Sequence, residues 1–467
     1  MLPYYNSKAN KFRYASPAAI AVVAGLALLI LSALVLMLKC LLVIMAGAAP
    51  LDSVDVSAAA IIMLEVGAST AGLGLVFTIL GLVFCFCMSK TERIYFQSRR
   101  ALFASRFGNP LNLKDGERLP KLVTARAAKN GRFLLRVYAS CVTVDELSRV
   151  ATAISSGLKG KLKNYAVVGV EPSVAAGYVD FYIEDVAIDH QIIVCDINQL
   201  RPSDSKKLIV QQNVELDLQY AGSMLVVGRT RSGKTSAVMS LLMGVLLQGR
   251  DNYGSQIVIV DPKSAELSRA SKHVLTLDDD GGARAILAAV KEFDVTIRKR
   301  QAVLNDASEK SGNAEKWFDI GMKPSYLFLD EWVSLLSAYP KKPSKNEPDY
   351  SLDAFMAVIR RIITMGASAG CFCIISLPEA SVQEGGIPAM LRSAMGTRIL
   401  FKPTLDEGRL VWDVEKLKAL PERTYTAGQA WLSSADGVLD SPQVVHFPRL
   451  DLPEYSELGR LLDKYYE

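Results

Sequence analysis

The chain has 467 residues, room for two or three domains at about 150 residues each, and half of them are hydrophobic, which is high for a purely soluble protein. The net charge of +5 is mild, so any attraction to nucleic acid must come from local patches rather than from the whole molecule. Seven cysteines and three histidines (His190, His273, His446) show no zinc-ligand spacing, and the pairs Cys85/Cys87 and Cys371/Cys373 lie in apolar runs, which reads as burial.

The first predicted element is apolar. Residues 18–37, AAIAVVAGLALLILSALVLM, carry no charge and are long enough, at about 1.5 Å per residue, to cross about 30 Å of hydrocarbon. A second apolar run covers 66–88. Lys8, Lys11 and Arg13 precede the first run; Lys90, Arg93, Arg99 and Arg100 follow the second; the connection holds Asp52 and Asp55. The positive-inside rule then predicts a helical hairpin, spans about 18–38 and 66–88 within an anchor of residues 1–100, with both ends in the cytoplasm. A cleaved signal peptide, using 8–13 as its basic region and AGAAP near Ala49 as its cleavage site, is the competing reading. The first run is too long for it, and a second span follows. Lys39 and Glu65 fall near the outer ends, where an interfacial position suffices.

Residues 101–206 read as a small α+β module. Residues 131–140 form a predicted strand, 143–158 a helix capped by Thr143 with an acidic first turn, and YAVVGVEP and GYVDFYIED two further strands around a turn. No catalytic constellation is visible there. Lys159, Lys161 and Lys163 read as a solvated helix end ahead of a contact with nucleic acid or lipid headgroups.

The chemistry is concentrated in residues 207–467. SMLVVGRTRSGKTS has the order strand, glycine loop, helix that the pattern G-x-x-x-x-G-K-[ST] needs to bind phosphate. Backbone N–H groups of Gly228, Arg229, Thr230, Arg231, Ser232, Gly233, Lys234, Thr235 and Ser236 would surround the phosphates of ATP, where unsatisfied donors and the helix dipole favour negative charge. Lys234 would reach the β- and γ-phosphates, and Thr235 would give its hydroxyl to Mg²⁺. The strand SYLFLDEW ends in Asp330, placed to hold Mg²⁺ through water, and Glu331, the candidate base for the attacking water. QIVIVDPKSAEL and GCFCIIS add two buried strands. Apolar strands alternating with helices such as 283–305 and 353–366 predict a largely parallel sheet covered on both faces, with the ligand at the carboxyl ends of the strands.

In the order GRTRSGKT, DPKSAEL, FLDEW, AGCFCIIS, GTRILF, residues 207–450 resemble the FtsK/HerA-type DNA translocases, and DPK followed by Glu266 and Leu267 is more particular to them than the phosphate loop. With the two-span anchor, AGQAWLSS and VVHFPRL, the chain is most similar to the TcpA/ConQ-type conjugative coupling proteins. The resemblance implies an α/β P-loop NTPase motor of RecA-like FtsK/HerA type, a hexameric ring at a bacterial membrane, ATP hydrolysis driving DNA movement, and relaxase and channel proteins as partners. It also implies an arginine acting on the neighbouring subunit's site, with Arg398 the candidate and Arg409 in reserve. Against Arg398 stands an ion pair inside its own subunit.

The chain departs from the family pattern at several points. Leu377, Pro378 and Glu379 replace a polar sensor of the γ-phosphate, leaving Ser376 as a weak substitute. Ala367 and Gln429 stand where arginines are common, and Arg231 where glycine is preferred, a strain if φ there is positive. These departures bear on coupling, leaving nucleotide binding intact. DNA contact independent of sequence should use cations on loops, and YPKKPSKNEPDY, with Lys341, Lys342 and Lys345, is the best such loop; a plain solvated connection explains it equally well. Arg298, Lys299 and Arg300 read as a charged outer helix face. Alternative functions are a chromosome-partitioning translocase, a protein-secretion ATPase, and a nucleotide-binding platform for a relaxase that does not hydrolyse ATP.

Overall fold

The computed structural model describes residues 4–5, 17–48, 53–104, 109–126, 132–264, 267–278, 282–379, 387–413, 417, 424–435, 439 and 441–467. Lys8, Lys11, Arg13, Asp52 and Glu266 lie outside them. The chain divides into two compact units, Met1–Ala187 and Ile188–Glu467.

In the first unit, α1 (Pro17–Ala48) and α2 (Ser53–Cys87) pack as an antiparallel pair, because Ser32 meets Gly67 (Oγ to carbonyl, 2.9 Å) while Gly25 meets Thr78. Stretches of 22 and 28 residues, Ile20–Leu41 and Ala60–Cys87, are long and apolar enough to cross a bilayer. The second begins earlier than expected, since AIIML at 60–64 extends the apolar run around the single charge of Glu65. Lipid gives helices no hydrophobic reason to associate, so close approach at small residues must hold such a pair. A Cβ on Gly25 would lie 2.2 Å from Thr78 Oγ1, and one on Gly74 2.9 Å from the Gly25 carbonyl.

Ser89 stops α2 and starts α3 (Lys90–Phe103) through a capping box with Glu92. The module that follows has β1 (Leu122–Arg126), β2 (Phe133–Tyr138), α4 (Val144–Ser148), α5 (Ala151–Gly157), β3 (Tyr165–Ser173) and β4 (Tyr178–Asp185) in an antiparallel sheet of order β1-β2-β4-β3. Two details differ from the sequence reading. Residues 143–158 break at Arg149 and Val150 into two helices, although Thr143 does cap the first in a capping box with Glu146. Strand β1 is additional, its five residues LVTAR too short and too mixed to announce a strand.

The second unit opens with β5 (Ile193–Val194), β6 (Lys207–Gln211), β7 (Val214–Asp217) and α6 (Leu218–Ala221). Segment 188–206 therefore lies in this unit, and Ile193 pairs with Arg449. Then come β8 (Met224–Val227), α7 (Lys234–Leu246), β9 (Ile257–Val260), β10 (Val274–Leu275), α8 (Gly282–Ser311), β11 (Ser325–Leu329), α9 (Trp332–Ser337), α10 (Leu352–Met365), β12 (Cys371–Leu377), α11 (Ala389–Ala394), β13 (Thr397–Phe401), α12 (Leu405–Val411), β14 (Gln429–Ser434), β15 (Gln443–His446), β16 (Arg449–Leu450) and α13 (Glu454–Tyr466). The main sheet has the order β10-β9-β11-β12-β8-β13-β14-β15, parallel from β10 to β13 and antiparallel at β14 and β15.

Two apolar cores flank this sheet, which explains why its strands are uninterrupted apolar runs. Met224, Val226, Tyr326, Phe328, Phe372 and Ile374 point into the core with α7 and α13. Their neighbours Leu225, Val227, Leu327, Leu329, Cys373 and Ile375 point into the core with α8 and α10. One residue of α8 corrects the expectation of a charged outer face. Arg300 is fully buried and donates to Asp251 (3.1 Å) and to the carbonyls of Ala369 (2.8 Å) and Lys323 (2.7 Å).

Candidate nucleotide-binding site

The loop between β8 and α7 is shaped by two glycines at which a Cβ would force neighbouring atoms to shift. A Cβ on Gly228 would lie 2.7 Å from Ser232 Oγ and 2.8 Å from Phe401 Cβ. Gly233 has φ +91°, and its Cβ would lie 2.5 Å from the nitrogen of Gly428, whose N–H donates to the Ser232 carbonyl at 2.9 Å. The segment AGQAW thus braces the loop through Gly428, while Gln429 accepts a hydrogen bond from the Thr426 N–H. Arg231 does have positive φ, +62°, a conformation costing about 1–2 kcal/mol in a residue with a Cβ.

Strand β12 lies between β8 and β11, pairing Ser376 with Val226 and Ile375 with Leu329. The ends of β8 and β11 consequently flank one cleft of ≈ 550 Å³, lined by residues 229–236 together with Asp261, Lys263, Asp330, Glu331, Pro378, Glu454 and Tyr455. Lys234 is only 8 % exposed, and among the described residues no ion pair engages it. Burial lowers its pKa; the carboxylates of Asp330 and Glu331 act the other way, and Lys263 adds to the lowering. Burial also raises the pKa of Asp330, against the Ser376 hydroxyl and the Lys234 ammonium beside it. Oγ of Ser232 and Oδ1 of Asp330 are buried without hydrogen-bond partners in the described chain. A buried cation and orphaned oxygens in this cleft fit a phosphate with its metal ion, since burial otherwise leaves these groups at a cost.

Glu331 has φ +44° at the start of α9, and its carboxylate meets Lys263 Nζ at 3.1 Å. Asp261 builds the turn that presents Lys263, accepting the N–H groups of Lys263 (3.3 Å) and Ser268 (3.1 Å). Lys263 appears in the sequence only as part of the DPK signature, without a role. Nothing local pointed to Glu407, which pairs with Arg229 at 2.9 Å, or to Glu454, which accepts from the Ser236 hydroxyl at 3.1 Å. Both lie more than 170 residues along the chain from their partners (|i−j| 178 and 218), where no local signal reaches.

Other candidates lie apart from the cleft. Arg398 is not among its lining residues, and its guanidinium donates to the Val411 carbonyl at 2.9 Å; Arg409 pairs with Asp406 on α12 at 3.1 Å. Lys341, Lys342 and Lys345 are exposed on a loop braced by the two hydrogen bonds of Arg284 to Glu347 (3.0 and 2.9 Å) and by Tyr339 stacked on Phe355.

Residues 199–390 match the model of the FtsK/SpoIIIE family. A curated relative, the Ftsk domain-containing protein YdcQ of Bacillus subtilis (strain 168), is 25 % identical over 198 residues, 41 % of this chain and 37 % of its own length. Among solved structures, the monomer of the pCW3 conjugation coupling protein TcpA with ATPgS has a TM-score of 0.47 at 15 % identity, covering 74 % of this chain and 92 % of its own. ATPases 2 and 3 of EssC from Geobacillus thermodenitrificans give 0.42 at 15 % identity, covering 60 % and 52 %. The matched region, residues 199–390, includes the loop residues 229–236 and the cleft residues Asp261, Lys263, Asp330, Glu331 and Pro378.

Proposed function

We propose that this chain is a membrane-anchored, ATP-driven DNA translocase, a coupling protein that delivers plasmid or integrative-element DNA to a conjugation channel of type IV secretion-like kind. The observation that carries the motor is the meeting of buried Lys234 with Asp330 and Glu331 in one cleft at the carboxyl ends of parallel strands. The conjugative role rests on the motif order and on the two apolar N-terminal helices. In this reading residues 1–100 anchor the chain in a bacterial cell membrane with its N-terminus in the cytoplasm, 101–187 connect, and 188–467 form the cytoplasmic motor.

The N–H groups of the loop and Lys234 hold the phosphates of ATP. Thr235 and Asp330 would hold Mg²⁺, which when bound would neutralise phosphate charge. Glu331 orients the water that attacks the terminal phosphorus, the bond to the bridging oxygen breaks, and ADP and phosphate leave. In a homo-oligomeric ring, hexameric by resemblance, Arg398 acts on the neighbouring site once its bond to Val411 is exchanged. The cargo is held by its phosphates, independent of sequence, and handed over by a relaxase.

A second reading, a nucleotide-binding platform for a relaxase without hydrolysis, is favoured by Pro378, which lines the cleft where a polar sensor is expected. One assay separates the two: ATP turnover by the full chain with single-stranded, double-stranded or no DNA. Turnover stimulated by DNA, lost by at least about 10²-fold in Lys234→Ala, supports the motor. Nucleotide binding without turnover supports the platform, and absence of ATP binding sinks both.

A further inference from the structure

Lys159, Lys161 and Lys163, the basic corner of the N-terminal unit, are exposed, and among the described residues none of the three forms an ion pair. We infer that this corner is a binding site for anionic lipid headgroups. The candidate span ends at Cys87, and Lys161 Nζ lies 5.8 Å from the ring centroid of Phe86, one residue before that end and 74 % exposed. The corner therefore stands at the depth where the apolar stretch gives way to headgroups. It is held there by several contacts. The Lys159 N–H donates to Gln97 Oε1 (2.7 Å), and Gln97 Nε2 donates to the Lys159 carbonyl (3.2 Å). Lys90 Nζ donates to the Tyr165 hydroxyl (2.8 Å), Leu162 is fully buried, and a Cβ on Gly157 would lie 2.4 Å from Ala101 Cβ.

Neighbouring charges are already engaged. Arg93 donates to the carbonyls of Met88 (3.1 Å) and Cys85, ending α2, and Glu92 is held in its capping box by Ser89. That leaves the three lysines as uncompensated cations. An anionic leaflet attracts each lysine near its surface by about fivefold in affinity, so three together exceed the effect of any one. A nucleic acid offers the same phosphate chemistry, but it would have to lie against the apolar end of α2 to reach Lys161. In the membrane reading of α1 and α2, lipid headgroups occupy that position.

The inference rests on the membrane reading of α1 and α2, and the test separates their failures. The full chain is placed in nanodiscs of phosphatidylcholine alone or with phosphatidylglycerol, and lysine labelling by an amine-reactive reagent is followed by peptide mass spectrometry. Phosphatidylglycerol should slow labelling of Lys159, Lys161 and Lys163 about fivefold, with recovery in high salt and no change at Lys341 and Lys342. A second measurement, phosphatidylglycerol retained after detergent extraction, should fall in the triple variant K159Q/K161Q/K163Q. Equal labelling in the two kinds of disc overturns the inference alone. Protection by double-stranded DNA in neutral discs, with none from phosphatidylglycerol, reassigns the corner to nucleic acid and overturns it too. Failure of the chain to enter either disc removes the membrane reading and the inference together.

Discussion

Glu331 sits at φ +44° with its carboxylate against Lys263, a combination of backbone strain and ion pairing in a cleft that points to a held reactive group. If Lys263 positions Glu331 and does not merely line the cleft, Lys263→Ala should lower kcat about tenfold while leaving KM for ATP within about threefold, and Lys263→Arg should restore most of kcat. Equal losses in kcat and binding would show instead that Lys263 serves the nucleotide directly. Asp330 makes a different prediction. Its pKa is raised by burial, so the folded protein binds that proton more tightly than the unfolded chain. The cost of the ionised form is absent below the ordinary carboxylate range, grows as pH rises from that range to the raised value, and is constant above it. Asp330→Asn should therefore raise the Tm of the nucleotide-free protein at neutral pH, by about 2–4 °C for each kcal/mol relieved, with the gain vanishing in acid. Thermal scans across pH check this. An unchanged Tm at neutral pH would mean that Lys234 already compensates the carboxylate in full.

Helix α8 is tied to the sheet by a group its amphipathic pattern concealed. In RKR at 298–300, spacing alone makes three cations look alike, yet Arg298 is exposed and Arg300 is fully enclosed with Asp251. Removing one partner leaves a buried charge alone, so Arg300→Ala should destabilise the protein by about 3–5 kcal/mol in urea unfolding, while the cleft residues keep their places and nucleotide affinity holds. The loop after β8 carries the opposite kind of dependence. Gly233→Ala must displace Gly428 in a segment nearly 200 residues away (233 to 428), so both stability and nucleotide binding should fall, stability by about 1–3 kcal/mol. Nucleotide titration and unfolding on the same variant would show whether the two losses travel together.

The two units divide the proposed work, one with apolar helices and a basic corner, the other with the cleft. A chain lacking residues 1–88 should remain in solution without detergent and keep ATP turnover within about threefold, while losing its place in the membrane fraction on centrifugation. A truncated chain that still sediments with membranes would put the anchor elsewhere. Much of this organisation was legible beforehand. GRTRSGKT, FLDEW and the apolar spans are local signals, in which spacing and periodicity along a few residues dictate loop, strand end and helix. The paired strands of the central sheet were also readable, because burial on both faces forces uninterrupted apolar runs such as MLVV and YLFL. What local pattern cannot carry is who meets whom. The placement of β12 between β8 and β11, the brace of Gly428 behind Gly233, the pairs Arg229–Glu407 and Ser236–Glu454, the burial of Arg300 and the docking of Lys161 beside Phe86 all join residues distant in sequence. Their energies depend on distance and dielectric, and both exist only once the chain has folded.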